Sequence, residues 1–121
     1  MTDITITIAS GQQLCLRAEV ADSFFKRFLG LMGRPDLPKG TGMVIYPCSS
    51  IHMMFMRFPI DAVFFDKKNH IVKIAHRLKP WTGFSIAYGA YGVLELPAGT
   101  LDDIDLSVDA CWLSFDGIHL A

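Results

Sequence analysis

A chain of 121 residues is long enough to bury a core without disulfide staples and short enough to be one domain over 1–121. Eleven basic residues against twelve acidic ones leave a net charge of −1, which supplies no global field for nucleic acid or for an anionic membrane. Hydrophobic residues at 51% beside charged residues at 19% exceed the usual apolar share and imply an apolar pocket or an apolar surface covered in an oligomer.

The opening, "MTDITITIAS", has neither a basic n-region nor a continuous apolar h-region. A secretory signal is therefore not expected, and the default location is cytoplasmic. Arg57 and Asp61 interrupt the most apolar region. No run approaches the roughly 18 to 20 apolar residues a spanning helix needs, so membrane insertion is not expected. Cys15, Cys48 and Cys111 form no CxxC or other cluster and read as small apolar residues of a reduced compartment.

"DITITIA" alternates with period two, "SGQQ" supplies turn chemistry, and "LCLRAEV" alternates again. That pattern predicts an N-terminal β-hairpin. "ADSFFKRFLGLMGR" follows, with Asp22 or Ser23 as a cap and Phe24, Phe28 and Leu31 at helical spacing. One short amphipathic helix is expected there. "GRPDLPKGTG" is a loop, because its prolines and glycines leave no room for a regular element. "MVIYP", "IHMMFM", "IDAVFF" and "IVKIAHRL" then read as strands. "RFP" separates the second from the third, and "DKKNH" is a polar hairpin turn before the fourth. "KPWTGFSIAYGAYG" reads as a long loop, and "VLELPAG" and "LSVDACWLSF" as closing strands. Seven or eight short strands with one early helix give a mostly β chain: an antiparallel β-sandwich or compact barrel with one short helix in its N-terminal half. Crossover helices that would support a parallel α/β sheet are missing from the pattern.

Four segments in fixed order carry a resemblance: "KRFLGLMGR", the block from "SIH" through "FMRFPIDAVFFD", "LKPWTG" and "VLELPAGT". Together they resemble the prokaryotic family known as domain of unknown function 192, from about Val20 to Leu113. The matching positions include Arg27, Leu31, Met32, His52, Met56, Asp61, Asp66, Trp81, Glu95 and Gly99. The resemblance implies a compact, β-rich domain and carries no reaction with it. Members often have threonine where Met53 stands, arginine where Thr82 stands and glycine where Val108 stands, so the local methionine richness is particular to this chain.

Thiolate, thioether and imidazole near one another would suit a soft cation such as Cu(I). In an extended strand, however, His52 and Met56 lie about 13 Å apart at Cα, and core methionine is the commoner fate; no metal ligand is assigned. A histidine beside a carboxylate can act as acid or base, and a hairpin "IHMMFM–RFP–IDAVFF" would carry His52 toward Phe64 or Asp66 while Asp61 stays near the turn. His52, Asp61 and Glu95 are thus the catalytic candidates, none of them assigned a catalytic role. Carboxylates next to turns more often cap backbone N–H groups. No activated nucleophile is present: Ser49 and Ser50 lack the GxSxG elbow. Arg27, at the edge of the helix's apolar face, is expected to pair with Asp61, Asp66 or Glu95.

The favoured reading is a non-enzymatic binding module holding a small-molecule ligand or a protein segment in a pocket near His52, Asp61, Trp81 and Glu95. The loop from Pro80 to Tyr91 would be its lip. Nucleic acid is not expected as a partner, a homo-oligomer is allowed, and the cofactor is unknown. The alternatives are a small metal-dependent or acid/base hydrolase-like enzyme using His52 with Asp61 or Glu95, and a structural partner in an assembly.

Overall fold

The fold was analysed in a computed structural model that describes residues 2–7, 13–21, 31–102 and 112–115. Among the described residues nine strands follow in order: β1 (Thr2–Thr7), β2 (Gln13–Ala21), β3 (Thr41–Ile45), β4 (Ser50–His52), β5 (Ile60–Phe65), β6 (Ile71–Leu78), β7 (Phe84–Ile86), β8 (Gly92–Pro97) and β9 (Trp112–Phe115). Seven form one curled sheet in the order β6-β5-β8-β3-β2-β1-β9, and β4 pairs with β7 in a second, two-stranded sheet. The chain is mostly β, as its alternating pattern predicts, and the described residues contain no helix. Most of the helix expected between Ala21 and Arg34 falls on 22–30, outside the described residues; Leu31 to Gly33 form a turn.

The N-terminal hairpin forms as read, with Ile4 opposite Leu16 and Ile6 opposite Leu14. One pair, β2 with β3, is parallel, and the sequence separation of Ala21 from Thr41 is of the length that a parallel neighbour requires. All other pairings are antiparallel.

The central strands are buried on both faces. All six residues of β5 are buried, which explains why "IDAVFF" is apolar almost throughout rather than alternating. Val63 and Phe65 join Val44, Leu94 and Leu96 in one core cluster. Ile60, Ala62 and Phe64 join Met43, Ile45 and Val93 in a second on the other face. Phe64 and Phe65 are each 0% exposed, and each such burial stabilises by roughly 1.5–3 kcal/mol.

One expected hairpin does not form. "IHMMFM" stops being a strand at His52, and Met53 to Met56 close a turn through Met56 N–H to Met53 O at 3.2 Å. The physical reason lies in β5, whose two edges are already hydrogen-bonded to β6 and β8. No edge remains for β4, which pairs instead with β7, inside the stretch that reads as a loop.

Candidate functional site

The two-stranded sheet alternates as its short strands require. Ile51 and Ser85 are cross-strand partners facing inward, at 8% and 5% exposure, whereas Ser50, His52, Phe84 and Ile86 face outward. Two turns are stitched to its end. Met53 N–H donates to Gly83 O at 2.9 Å, and Trp81 N–H donates to Met53 O at 2.6 Å. Met53 is buried, so its side chain anchors the turn while Met54 and Phe55 project from it. Phe55 and Trp81 both adopt left-handed backbone conformations, with φ of 64° and 68°. Their rings meet at 4.9 Å between centroids, tilted by 58°. Strained conformations of bulky residues persist only where surrounding contacts impose them; here those contacts hold two aromatic rings at the surface.

The result is a face carrying Met54, Phe55, Trp81, Phe84 and Ile86, with Tyr88 on the next turn at 91% exposure. His52, opposite Phe84, belongs to the same face. The structure therefore brings together His52 and Trp81 of the expected set.

It separates Asp61 and Glu95 from them and from each other. Asp61 pairs with Leu96 and lies in β5 on the face of Val63 and Phe65, whereas Glu95, opposite Ala62 and Met43, lies on the other face. Asp61 is 0% exposed. Its Oδ1 accepts from Arg77 N–H at 2.9 Å, and its Oδ2 from Gly99 N–H at 3.1 Å and Leu101 N–H at 3.2 Å. It staples the turn after β8 to the irregular end of β6, where Arg77 has a φ of 52°. Asp66 acts similarly in the β5–β6 hairpin, accepting from Lys68 and His70 N–H groups. The expected pairing of these carboxylates with Arg27 lies outside the described residues.

Glu95 is 5% exposed. Burial pushes its pKa from 4.5 up to about 7, because a desolvated carboxylate resists ionisation.

His76 and Asp102, which the sequence reading passed over, join Asp61 in a group whose ligand atoms lie within 4.8 Å of one another. His76 lies where the β5–β6 register shifts, between the Ala62–Ala75 and Ile60–Leu78 pairs, so counting from the turn does not place it beside Asp61. Asp102 comes from a turn whose approach no local pattern encodes. The Arg77 guanidinium is ion-paired with Asp102, and Asp61 is already committed to three N–H groups, so a cation here would compete with both. The Cys48 thiol donates to Ser50 O at 3.1 Å.

A β-rich domain with a projecting aromatic face, and with its central carboxylates spent on the framework or buried, defines the class. The chain belongs to the family of domain of unknown function 192, described as "Uncharacterized ACR", whose model matches residues 5–111. It is similar to a UPF0127 protein of Thermococcus sibiricus, 35% identical over 76% of this chain and 62% of the relative. The aligned part thus spans less than two thirds of that relative's length. A UPF0127 protein of Pyrococcus furiosus is 30% identical over 85% of this chain and 90% of its own. The fold matches the crystal structure of a candidate transcription regulator from Sinorhizobium meliloti, with a TM-score of 0.87 at 24% identity over 97% and 95% of the two chains. It also matches a protein of unknown function from Novosphingobium aromaticivorans, with a TM-score of 0.82 at 24% identity over 93% and 83%.

Proposed function

We propose that the protein is a non-enzymatic binding module and that its binding surface is the aromatic face built by β4, β7 and the turns at Phe55 and Trp81. The observation that carries this reading is the gathering of six large apolar side chains, each at least 36% exposed, on and beside one small sheet. Soluble domains seldom leave such groups clustered without a partner, and tryptophan, tyrosine, phenylalanine and methionine are the residues enriched where partners bind. His52 and Trp81 belong to the surface. Asp61 and Glu95, named with them from the sequence, serve the framework in this reading and do not touch the partner.

The test is amide NMR of the labelled protein in buffer and in cell extract. Residues 52–55 and 81–88 should shift or broaden in extract, and a Trp81→Ser/Phe84→Ser variant should respond much less. Extract that perturbs other regions but leaves these residues unchanged would refute the reading. Perturbation that rises with the protein's own concentration in buffer would assign the face to self-association.

A second reading, a metal-dependent site, has the Asp61, His76 and Asp102 group in its favour. Addition of zinc or manganese should leave thermal stability unchanged if the Arg77 pair and the three N–H groups hold those carboxylates. A saturable rise lost in His76→Ala would establish the site.

A further inference from the structure

We propose that the aromatic face is a docking surface for an anionic lipid bilayer. The inference rests on the reading of that face as the binding site and names its partner. Its first support is the chemistry of the exposed groups: Met54, Phe55, Trp81, Phe84, Ile86 and Tyr88. Aromatic and aliphatic side chains of this kind partition into the boundary between headgroups and acyl chains. Phe55, Trp81 and Tyr88 stand on turns, so they project outward from the fold.

The second support is the distribution of charge. Residues 46–91 contain six Lys and Arg (Arg57, Lys67, Lys68, Lys73, Arg77 and Lys79) against two carboxylates, Asp61 and Asp66, and Asp61 is buried beneath its three N–H donors. The rest of the chain contains five basic residues against ten acidic ones. Arg77 is neutralised by Asp102, which leaves five cations and Asp66 in the segment that carries the aromatic face, beneath a total near neutrality. Local fields of this kind, rather than net charge, orient a protein at a charged surface.

The third support is placement. Lys73 Nζ donates to Ile86 O at 2.7 Å, which holds its ammonium against β7. Lys67 Nζ lies 5.6 Å over the Tyr91 ring, and with Lys68 it borders a depression formed with Gly89 and Ala90, next in sequence to Tyr88. Arg57 and Lys79 are exposed two residues from Phe55 and Trp81. Lys73 thus lies against β7, and Arg57 and Lys79 flank the two aromatic turns in sequence; on a bilayer the apolar tips would enter the interface while these cations stay at headgroup level.

A strand of nucleic acid would use the aromatic rings for stacking and leave Met54 and Ile86 without a role. Docking of this kind needs no membrane span, and no helix among the described residues is long and apolar enough to form one.

The experiment is co-sedimentation of the full chain with vesicles of phosphatidylglycerol and phosphatidylcholine, compared with phosphatidylcholine alone. Binding to the anionic vesicles should be at least about tenfold tighter. It should weaken as salt rises from about 0.1 M to 1 M, which shortens the screening length from about 10 Å to about 3 Å. Each lysine near an anionic surface is worth about fivefold in binding, so Lys67→Gln/Lys68→Gln should lose about 25-fold. Phe55→Ser/Trp81→Ser should abolish sedimentation while retaining the β-sheet circular dichroism of the parent. Absence of binding to anionic vesicles, equal binding to neutral ones, or unchanged binding by both variants overturns the proposal. Binding of a single-stranded oligonucleotide without any vesicle binding also overturns it, assigning the face to nucleic acid. If vesicles fail but extract still perturbs residues 52–55 and 81–88, only the lipid assignment falls and the binding surface stands.

Discussion

Replacing Glu95 by glutamine should stabilise the protein at alkaline pH and leave it nearly unchanged in acid. In the unfolded chain this carboxyl titrates near 4.5; in the folded protein, burial raises it to about 7. Because the folded value is the raised one, the native state is not penalised below about pH 4.5, where both states hold the proton. Between about 4.5 and 7 the unfolded chain ionises while the folded one resists, and stability falls across that window. Above about 7 the full difference applies: a shift of this size corresponds to about 3 kcal/mol at 1.36 kcal/mol per unit. Glutamine has the same shape and no charge, so the variant should gain about 3 kcal/mol at pH 8 and much less than 1 kcal/mol at pH 4.5. In thermal unfolding that is a rise of roughly 10 °C at pH 8 for a domain of this size. Urea titrations of both proteins from pH 4.5 to 8 measure it directly, and their difference isolates Glu95 from the histidines. A variant less stable than its parent at pH 8 would refute the reasoning, because it would mean that a cation, such as the expected Arg27, already pairs with the carboxylate.

Asp61→Asn should destabilise by about 3 kcal/mol or more, since the amide cannot reproduce a charged acceptor for three buried N–H groups; a urea midpoint close to the parent's would contradict the assigned role. Gly83→Ala should cost about 1–3 kcal/mol through overpacking. Its methyl would stand 2.7 Å from the Lys79 carbonyl and 2.7 Å from Met53 Cγ. The same variant should shift tryptophan emission, because the Trp81 turn rests on that contact. Normal stability and emission would show that the two turns are not coupled as described.

Much of the fold was legible because its signals are local. Alternation in "DITIT" and the polar turn "DKKNH" announce two hairpins, and both form. The apolar run of β5 identifies a strand buried on two faces, which is a matter of composition. The failure at "IHMMFM" is equally instructive. Its residues favour a strand, yet β5 has no free edge to offer, and availability of an edge is a property of the whole sheet. The exposure of Trp81 was legible because aromatic residues cluster in that loop. Phe55 was not, because its exposure depends on a left-handed turn that no glycine or asparagine marks at its position.

By itself, then, the sequence determined the β class, most strand positions, the family resemblance, and the tendency of Asp61 to cap backbone groups beside a turn. Those properties follow from side-chain periodicity and turn chemistry within a few residues. Tertiary structure decided which residues share a face. It placed Asp61 and Glu95 on opposite sides of one sheet, set His52 opposite Phe84 through the β4–β7 pairing, and left six large apolar side chains exposed on and beside that small sheet. Such neighbours are set by strand order and register, and these emerge only when every strand competes for the same edges.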